Sequence, residues 1–505
     1  MLHNMKLMIQ APILLFLIAI NFSCATNKDN SGLKPTDVSA SFDSNSRIVV
    51  LFFTDLHGRL RASADAGGYA EIAALVEEER AKLGERSDLL VLNGGDAAGK
   101  SSVPCVLSKE KDCFSLLPDL GVQLSVLGNS ELTRSVQELN ELIALSGHTW
   151  ISANIHTKSE QSWKPYFVFN GIKSGIRLGL TGWTAIPTPG EIDLKRAGYE
   201  PNTAITSKNL EKWMKPLAGM PVLWLTHVEV EDDKKLLEKH CHDPGQNNKR
   251  GANNNQRVLA VIKGHGHTTF ENQDACVPMF QAGGHGVNVL KLILEPRGAE
   301  ISLVHHEFLE LKSRSAVKPS LKKKIDQLYV EKAPNANRVM AQVSRDLTAQ
   351  EFAKWAATAF RATTRADIAI VNIGAVKSGV MAGALSLEEM NFVYPYKDEI
   401  MGLDINTKKL ESALCKSSMR EMDGFLDYGS QLILAGADLL GAGTEDCRLE
   451  VEGGSKRSVK IALVKYVVGR SERWLGQSLQ SKAFRYGIDS ERAFELYLKR
   501  TGEKL

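Results

Sequence analysis

Apolar and polar positions along the chain fall into blocks that predict a mixed α/β protein. The β-branched and aromatic run from Arg47 to Phe53 reads as a strand, ending at Thr54-Asp55-Leu56-His57-Gly58. After Gly67-Gly68, the stretch from Tyr69 to Ala81 has helical periodicity, with Ile72, Leu75 and Val76 on one face. Ser87 to Leu92 reads as the next strand, ending at Asn93-Gly94-Gly95-Asp96. Val122 to Leu127 reads as another, ending at Gly128-Asn129-Ser130-Glu131. A helix is predicted from Ser135 to Ala144, and short strands from Trp150 to Ala153 and from Arg177 to Thr181. Met220 to Leu225 leads into Thr226-His227, and Arg257 to Ile262 into Gly264-His265-Gly266-His267. Strands alternating with helices argue for an α/β core. Polar residues recur just past the carboxyl ends of successive strands, the rim where open α/β sheets bind ligands.

The pattern is strand-like again from Leu290 through Val304. The Lys- and Ser-rich stretch from Ser313 to Lys324 reads as a linker, and Ile325 to Ala341 as a helix or an irregular crossover. From Leu347 to Thr364 the chain is helical in pattern, with Phe352, Trp355 and Phe360 to bury, and Ala366 to Asn372 follows as a strand. A second α/β unit then runs to about Tyr497. A chain of 505 residues is too long for one ordinary core. The expected division is a first domain over 47–312, a linker over 313–341 and a second domain over 342–505.

Composition is that of a soluble globular protein, 43% hydrophobic and 24% charged. The net charge of +3, from 62 basic and 59 acidic residues, gives no reason to invoke nucleic acid as a partner. The first residues differ in kind. Lys6 precedes a nearly continuous apolar run to Ile20, closed by Asn21-Phe22-Ser23-Cys24. A basic start, a short apolar core and small residues before a break read as a secretory signal over 1–24; an uncleaved anchor is the other reading. Ser23-Cys24 resembles the end of a bacterial lipoprotein signal, with Asn21 where that signal usually has Leu. Cys24 is thus a candidate lipidation site, and the polar residues 25–46 read as a flexible tether. Export to the periplasm or cell surface on a lipid anchor is the expectation.

Six further cysteines form an even set suited to an oxidising compartment. Locality favours Cys105 with Cys113, Cys241 with Cys276, and Cys415 with Cys447. Buried free thiols are the alternative.

Seven residues, Asp55, His57, Asp96, Asn129, His227, His265 and His267, each stand where a strand gives way to a loop. All carry N or O donors. Imidazoles suit zinc, nickel, iron or cobalt, and carboxylates and an amide oxygen suit manganese or magnesium. One carboxylate can bridge two such ions about 4 Å apart. Each feature alone is commonplace in a turn; their joint order after successive strands is not.

The order Asp-x-His, Gly-Gly-Asp, Gly-Asn, Thr-His and Gly-His-x-His resembles the calcineurin-like metallophosphoesterase domain. The two-domain layout is similar to bacterial periplasmic 5'-nucleotidases and UDP-sugar hydrolases. The resemblance implies an N-terminal four-layer αββα sandwich and a C-terminal α/β domain that binds substrate. It implies two divalent ions, such as manganese, zinc or cobalt. Asp55, His57, Asp96 and His267 would hold one, and Asp96, Asn129, His227 and His265 the other, with Asp96 bridging. A hydroxide held by the metals would attack phosphorus in line, on a small phosphorylated substrate such as a nucleotide. A monomer is expected.

Two departures stand out. The family's Gly-Asn-His-Glu, followed closely by Asp, reads here Gly128-Asn129-Ser130-Glu131-Leu132-Thr133. Ser130 replaces the catalytic histidine; it can donate a neutral hydrogen bond but not the stronger charge-assisted one. Loss of a positioned acid costs roughly 10²–10⁴-fold. His285, in Gly283-Gly284-His285-Gly286, is either a replacement or a turn residue. In the second domain the family's Asn-x-Gly-Gly-x-Arg reads Asn372-Ile373-Gly374-Ala375-Val376-Lys377. Lys377 keeps one charge without the bidentate fork of arginine. Tyr396 and Trp474 are candidates to sandwich a flat group. Two functions follow: an exported two-metal phosphoric ester hydrolase, or a binding lipoprotein that keeps the metals with little or no catalysis.

Overall fold

The computed structural model describes residues 45–62, 66–97, 99, 101–186, 191–202, 204–241, 257–311, 316–422, 431–472, 479, 482–502 and 505. The signal segment with Cys24, nearly all of the tether and Trp474 lie outside them.

Two sheets face each other in the N-terminal half. The seven-stranded sheet runs in the order Glu300–Glu310, Asn288–Arg297, Arg47–Phe53, Ser87–Asn93, Leu124–Val126, Thr149–Ile151, Trp163–Lys164. Arg47–Phe53 pairs in parallel with Ser87–Asn93 and antiparallel with Asn288–Arg297. The six-stranded sheet runs in the order Thr269–Asn272, Met279–Ala282, Arg257–Lys263, Pro221–His227, Arg177–Thr184, Tyr166–Asn170.

Side chains alternate across a strand, and the run from Arg47 to Phe53 uses both faces. Ile48, Val50 and Phe52 join Leu90, Leu92, Leu223, Leu225 and Ile262 in the core between the sheets. Val49, Leu51 and Phe53 pack outward with Ile72, Leu75 and Val76 of the Tyr69–Ala81 helix. Beyond the other sheet, Leu210, Trp213, Leu236 and Leu237 of two helices cover Trp183, Trp224 and Val261. These layers are the expected αββα sandwich.

The C-terminal half has its own core around a five-stranded sheet, ordered Leu432–Ala435, Ile368–Asn372, Ser458–Val464, Glu399–Asn406, Phe484–Asp489. Its long helix Ala349–Thr364 starts at a capping box between Thr348 and Glu351 and buries Phe352 and Phe360. A Pro319–Lys332 helix falls in the stretch read as a linker. Its Leu321, Ile325 and Tyr329 recur at helical spacing and are buried in the N-terminal core, so residues 319–332 are a docked element.

Three disulfides join Cys105 to Cys113, Cys241 to Cys276 and Cys415 to Cys447, with Cα atoms 5.5, 6.5 and 5.7 Å apart. Among the described residues, no helix is long and apolar enough to cross a membrane.

Candidate metal centre

The seven donors converge at the carboxyl ends of strands from both sheets. His57 Nε2 lies 3.0 Å from His267 Nε2 and 3.6 Å from Asp96 Oδ2. His267 Nε2 is 3.3 Å from Asp55 Oδ1. His227 Nε2 is 3.4 Å from Asp96 Oδ1, 3.8 Å from Asp55 Oδ1 and 3.2 Å from Asn129 Oδ1. Asn129 Oδ1 also stands 2.9 Å from His265 Nδ1. Asp55, Asp96 and His227 are buried.

Local backbone geometry aims these groups. Among the described residues, nine other than glycine have positive φ, and Asp55, His57, Asp96, His265 and His267 are five of them. This left-handed conformation is unfavourable for most side chains and clusters at functional sites. It is held by hydrogen bonds between loops: Asp55 N to Gly95 O at 3.0 Å, His57 N to Asp96 O at 2.9 Å, and His285 N to Asp55 O at 2.8 Å. Gly128 lies so close to Asp96 that a Cβ there would sit 2.1 Å from Asp96 Oδ1.

Electrostatics fit a cation. Burial alone would raise Asp96, but His227 and His57 hold its carboxyl far below the usual range. Burial likewise opposes ionisation of Asp55, and His227 and His267 outweigh it. His227 is driven the other way: burial would lower it, but Asp96 and Asp55 raise it. Two buried carboxylates thus demand positive charge, and divalent ions among imidazole, carboxylate and amide donors satisfy that demand.

Outer partners orient the donors. Gly94 O lies 2.7 Å from His227 Nδ1, and Glu229 Oε1 lies 3.1 Å from His265 Nε2, leaving the opposite nitrogen of each ring for the centre. Thr54 Oγ1 donates to Asp55 Oδ2 at 2.6 Å. Glu131 Oε2 accepts from Gly128 N at 2.7 Å and Asp96 N at 3.0 Å, tying two donor loops together. Reading the chain alone assigns Glu229 and Glu131 no role. Glu131 stands where the resembled Gly-Asn-His-Glu motif has its Glu, and the one signal for Glu229 is its place two residues past His227.

Ser130 Oγ donates to Asp96 Oδ2 at 2.8 Å, so its hydroxyl faces the carboxylate expected to bridge. Thr133 Oγ1 and Arg134 Nη1 both donate to Ser130 O, at 2.8 and 2.5 Å, which fixes the loop. His285 is buried beside His57 and His267, with ring centroids 5.2 and 5.0 Å away.

The C-terminal domain closes over this centre. Phe392 meets the His285 ring edge-on at 5.1 Å, and the Arg59 guanidinium carbon sits 3.8 Å over the Phe392 ring. Lys377 Nζ donates to Gly374 O at 3.0 Å and lies 5.3 Å from the Tyr396 ring centroid. Burial is the main reason the His57 imidazole is held below its ordinary range, and the charge of Lys377 adds a smaller push in the same direction. Asn372 is buried at the end of its strand, and its Oδ1 has no hydrogen-bond partner among the described residues.

The fold and the donor set define a two-domain α/β protein with an αββα sandwich that gathers seven N and O donors. Residues 329–433 match the family model described as 5'-nucleotidase, C-terminal domain. The chain is 21% identical over 465 residues to a 5'-nucleotidase of Vibrio parahaemolyticus, covering 81% of this chain and 80% of that one. Its fold is similar to that of a 5'-nucleotidase precursor from Thermus thermophilus, with TM-score 0.67 and 17% identity over 91% of this chain and 97% of that one. It is similar also to a Thermus thermophilus sulfate thiohydrolase, with TM-score 0.69 and 14% identity over 91% of this chain and 94% of that one.

Proposed function

We propose that this protein is an exported phosphoric ester hydrolase that works with two divalent ions on nucleotide-like substrates. The observation that carries the reading is the convergence of all seven donors around the buried carboxylates of Asp55 and Asp96. Asp55, His57, Asp96 and His267 would hold one ion, and Asp96, Asn129, His227 and His265 the other. When bound, such ions lower the pKa of water toward neutrality and offset charge on phosphoryl oxygens.

The protein's own groups do the rest. Lys377 brings a fixed positive charge from the second domain toward the anionic substrate. Tyr396, 36% exposed, offers a face on which a base can stack. Ser130, hydrogen-bonded to Asp96, stabilises the orientation of that carboxylate rather than supplying a proton. Turnover is therefore expected to fall below that of an enzyme with a positioned acid, by roughly 10²–10⁴-fold. Three disulfides support a site of action in an oxidising compartment. A Cys24→Ser variant is expected to leave the membrane fraction.

The test is phosphate release by the protein purified without chelator and titrated with manganese, cobalt and zinc. Nucleoside monophosphates, nucleoside diphosphates, UDP-glucose and an aryl phosphate are the substrates, with Asp96→Asn beside the native protein. Metal-dependent release abolished by that substitution supports the hydrolase. Two bound ions without release from any substrate would overturn it in favour of a metal-retaining binding lipoprotein.

A further inference from the structure

His57, His267 and His285 form a closed triangle of imidazoles, with ring centroids 4.9, 5.2 and 5.0 Å apart. One ring nitrogen from each lies within 4.8 Å of the other two. His285 is 8% exposed, and neither of its ring nitrogens has a hydrogen-bond partner among the described residues. A buried polar group left without a partner is destabilising, so packing against Phe392 alone does not account for a histidine here.

The backbone gives an independent sign. His285 has φ +57°, the left-handed conformation it shares with Asp55, His57, Asp96, His265 and His267. Its loop is pinned to the centre: His285 N donates to Asp55 O at 2.8 Å, Gly284 N to His267 O at 3.0 Å, and Gly67 N to Gly286 O at 2.8 Å. A Cβ on Gly286 would stand 2.2 Å from Gly67 O, so the neighbour of His285 must be glycine for the loop to close. Strain, fixation and unpartnered nitrogens together describe a ligand held ready.

We propose that His285 is an eighth metal donor, supplying a third imidazole to the ion shared by Asp55, His57, Asp96 and His267. This rests on the two-metal reading above. Three imidazoles make that position nitrogen-rich, which favours zinc, cobalt, nickel or iron over manganese or magnesium. His285 is then occupied as a ligand and does not replace the missing acid at Ser130.

The full chain, stripped of metal and titrated with cobalt, tests this by absorption spectrum, competitive affinity and X-ray absorption counts of imidazole. His285→Asn is the first variant, because Asn tolerates a left-handed backbone. His285→Gly is the second; it removes backbone strain and leaves room for added imidazole. Native protein is expected to bind two ions. In either variant the weaker of the two affinities should fall at least about 10-fold, one imidazole should vanish from the count, and imidazole should restore the spectrum of His285→Gly. Unchanged affinity, spectrum and count in both variants would overturn the ligand role while leaving the two-metal reading intact. Native protein that binds no ion would overturn both.

Discussion

Among single side chains, Glu229 shows how much of the centre depends on residues outside the donor set. Its carboxylate reaches His265 Nε2 at 3.1 Å while His265 Nδ1 faces Asn129. A carboxylate in that place fixes the tautomer and raises the basicity of the ring, and its loss typically costs 10–100-fold in metal affinity. Glu229 is mostly exposed, which weakens the effect, so Glu229→Ala is expected to weaken one of two sites by about tenfold. Competitive cobalt titration reads this directly. A second prediction concerns pH. His148 Nε2 is 2.7 Å from Ser125 Oγ, its Nδ1 is 2.8 Å from Ser146 O, and its ring stacks on Trp150 at 5.5 Å. Burial pushes its pKa from 6.5 down to about 4. The folded chain keeps it neutral where the unfolded chain takes up a proton, so stability falls as pH drops. The contribution is fully present above about 6.5 and is lost on the way down to about 4. Replacing His148 by Gln removes this dependence. With chelator present, the stability gap between native and His148→Gln protein should therefore narrow from pH 7 to pH 4.5 in denaturant melts.

At the level of elements, the strands that present donors were legible because their apolar runs end abruptly at glycine-bearing polar loops. The strand read as Arg47 to Phe53 has those bounds in the structure, and Ser87 to Leu92 gains one residue, Asn93. The short helices Val103–Leu107 and Lys111–Leu116 were not legible, because five or six residues carry no clear period. The Pro319–Lys332 helix hid for another reason. Its lysines at 322, 323 and 324 dominate the local composition, while Leu321, Ile325 and Tyr329 form a thin apolar stripe between them. Leu321 is fully buried there. Leu321→Ala should cost about 2–5 kcal/mol in unfolding free energy, seen in the first of any separable transitions. Bound metal per folded chain should not change, since the helix supplies none of the donors.

Over the whole molecule, the convergence of the candidate metal donors was legible and the meeting of the two domains was not. The seven donors stand at the ends of five strands, so local pattern suffices to find them. The approach of Phe392 to His285 depends on how two domains meet across more than a hundred residues of chain. Among the described residues, Arg59 and His285 contact Phe392, Tyr329 bonds Glu388, and Glu388 N donates to Ala336 O. A cavity of about 310 Å³ remains among Arg59, Arg61, Ser102, Asn337, Glu388 and Phe392. The apolar cores do not mix: those of the first domain end at Ala336, and that of the second begins at Met340. A chain ended after Arg338 therefore keeps every donor and its supporting core, and is expected to fold and bind two ions per chain. It lacks Asn372, Lys377 and Tyr396. Its preference for nucleoside monophosphate over aryl phosphate, as a ratio of kcat/KM, should drop by about tenfold or more, equivalent to about 1.4 kcal/mol. Hydrolysis of the aryl phosphate should survive, because no donor is lost. If the shortened chain kept the full nucleotide preference, recognition would lie within the sandwich itself, and Lys377 and Tyr396 would have no part in choosing the substrate.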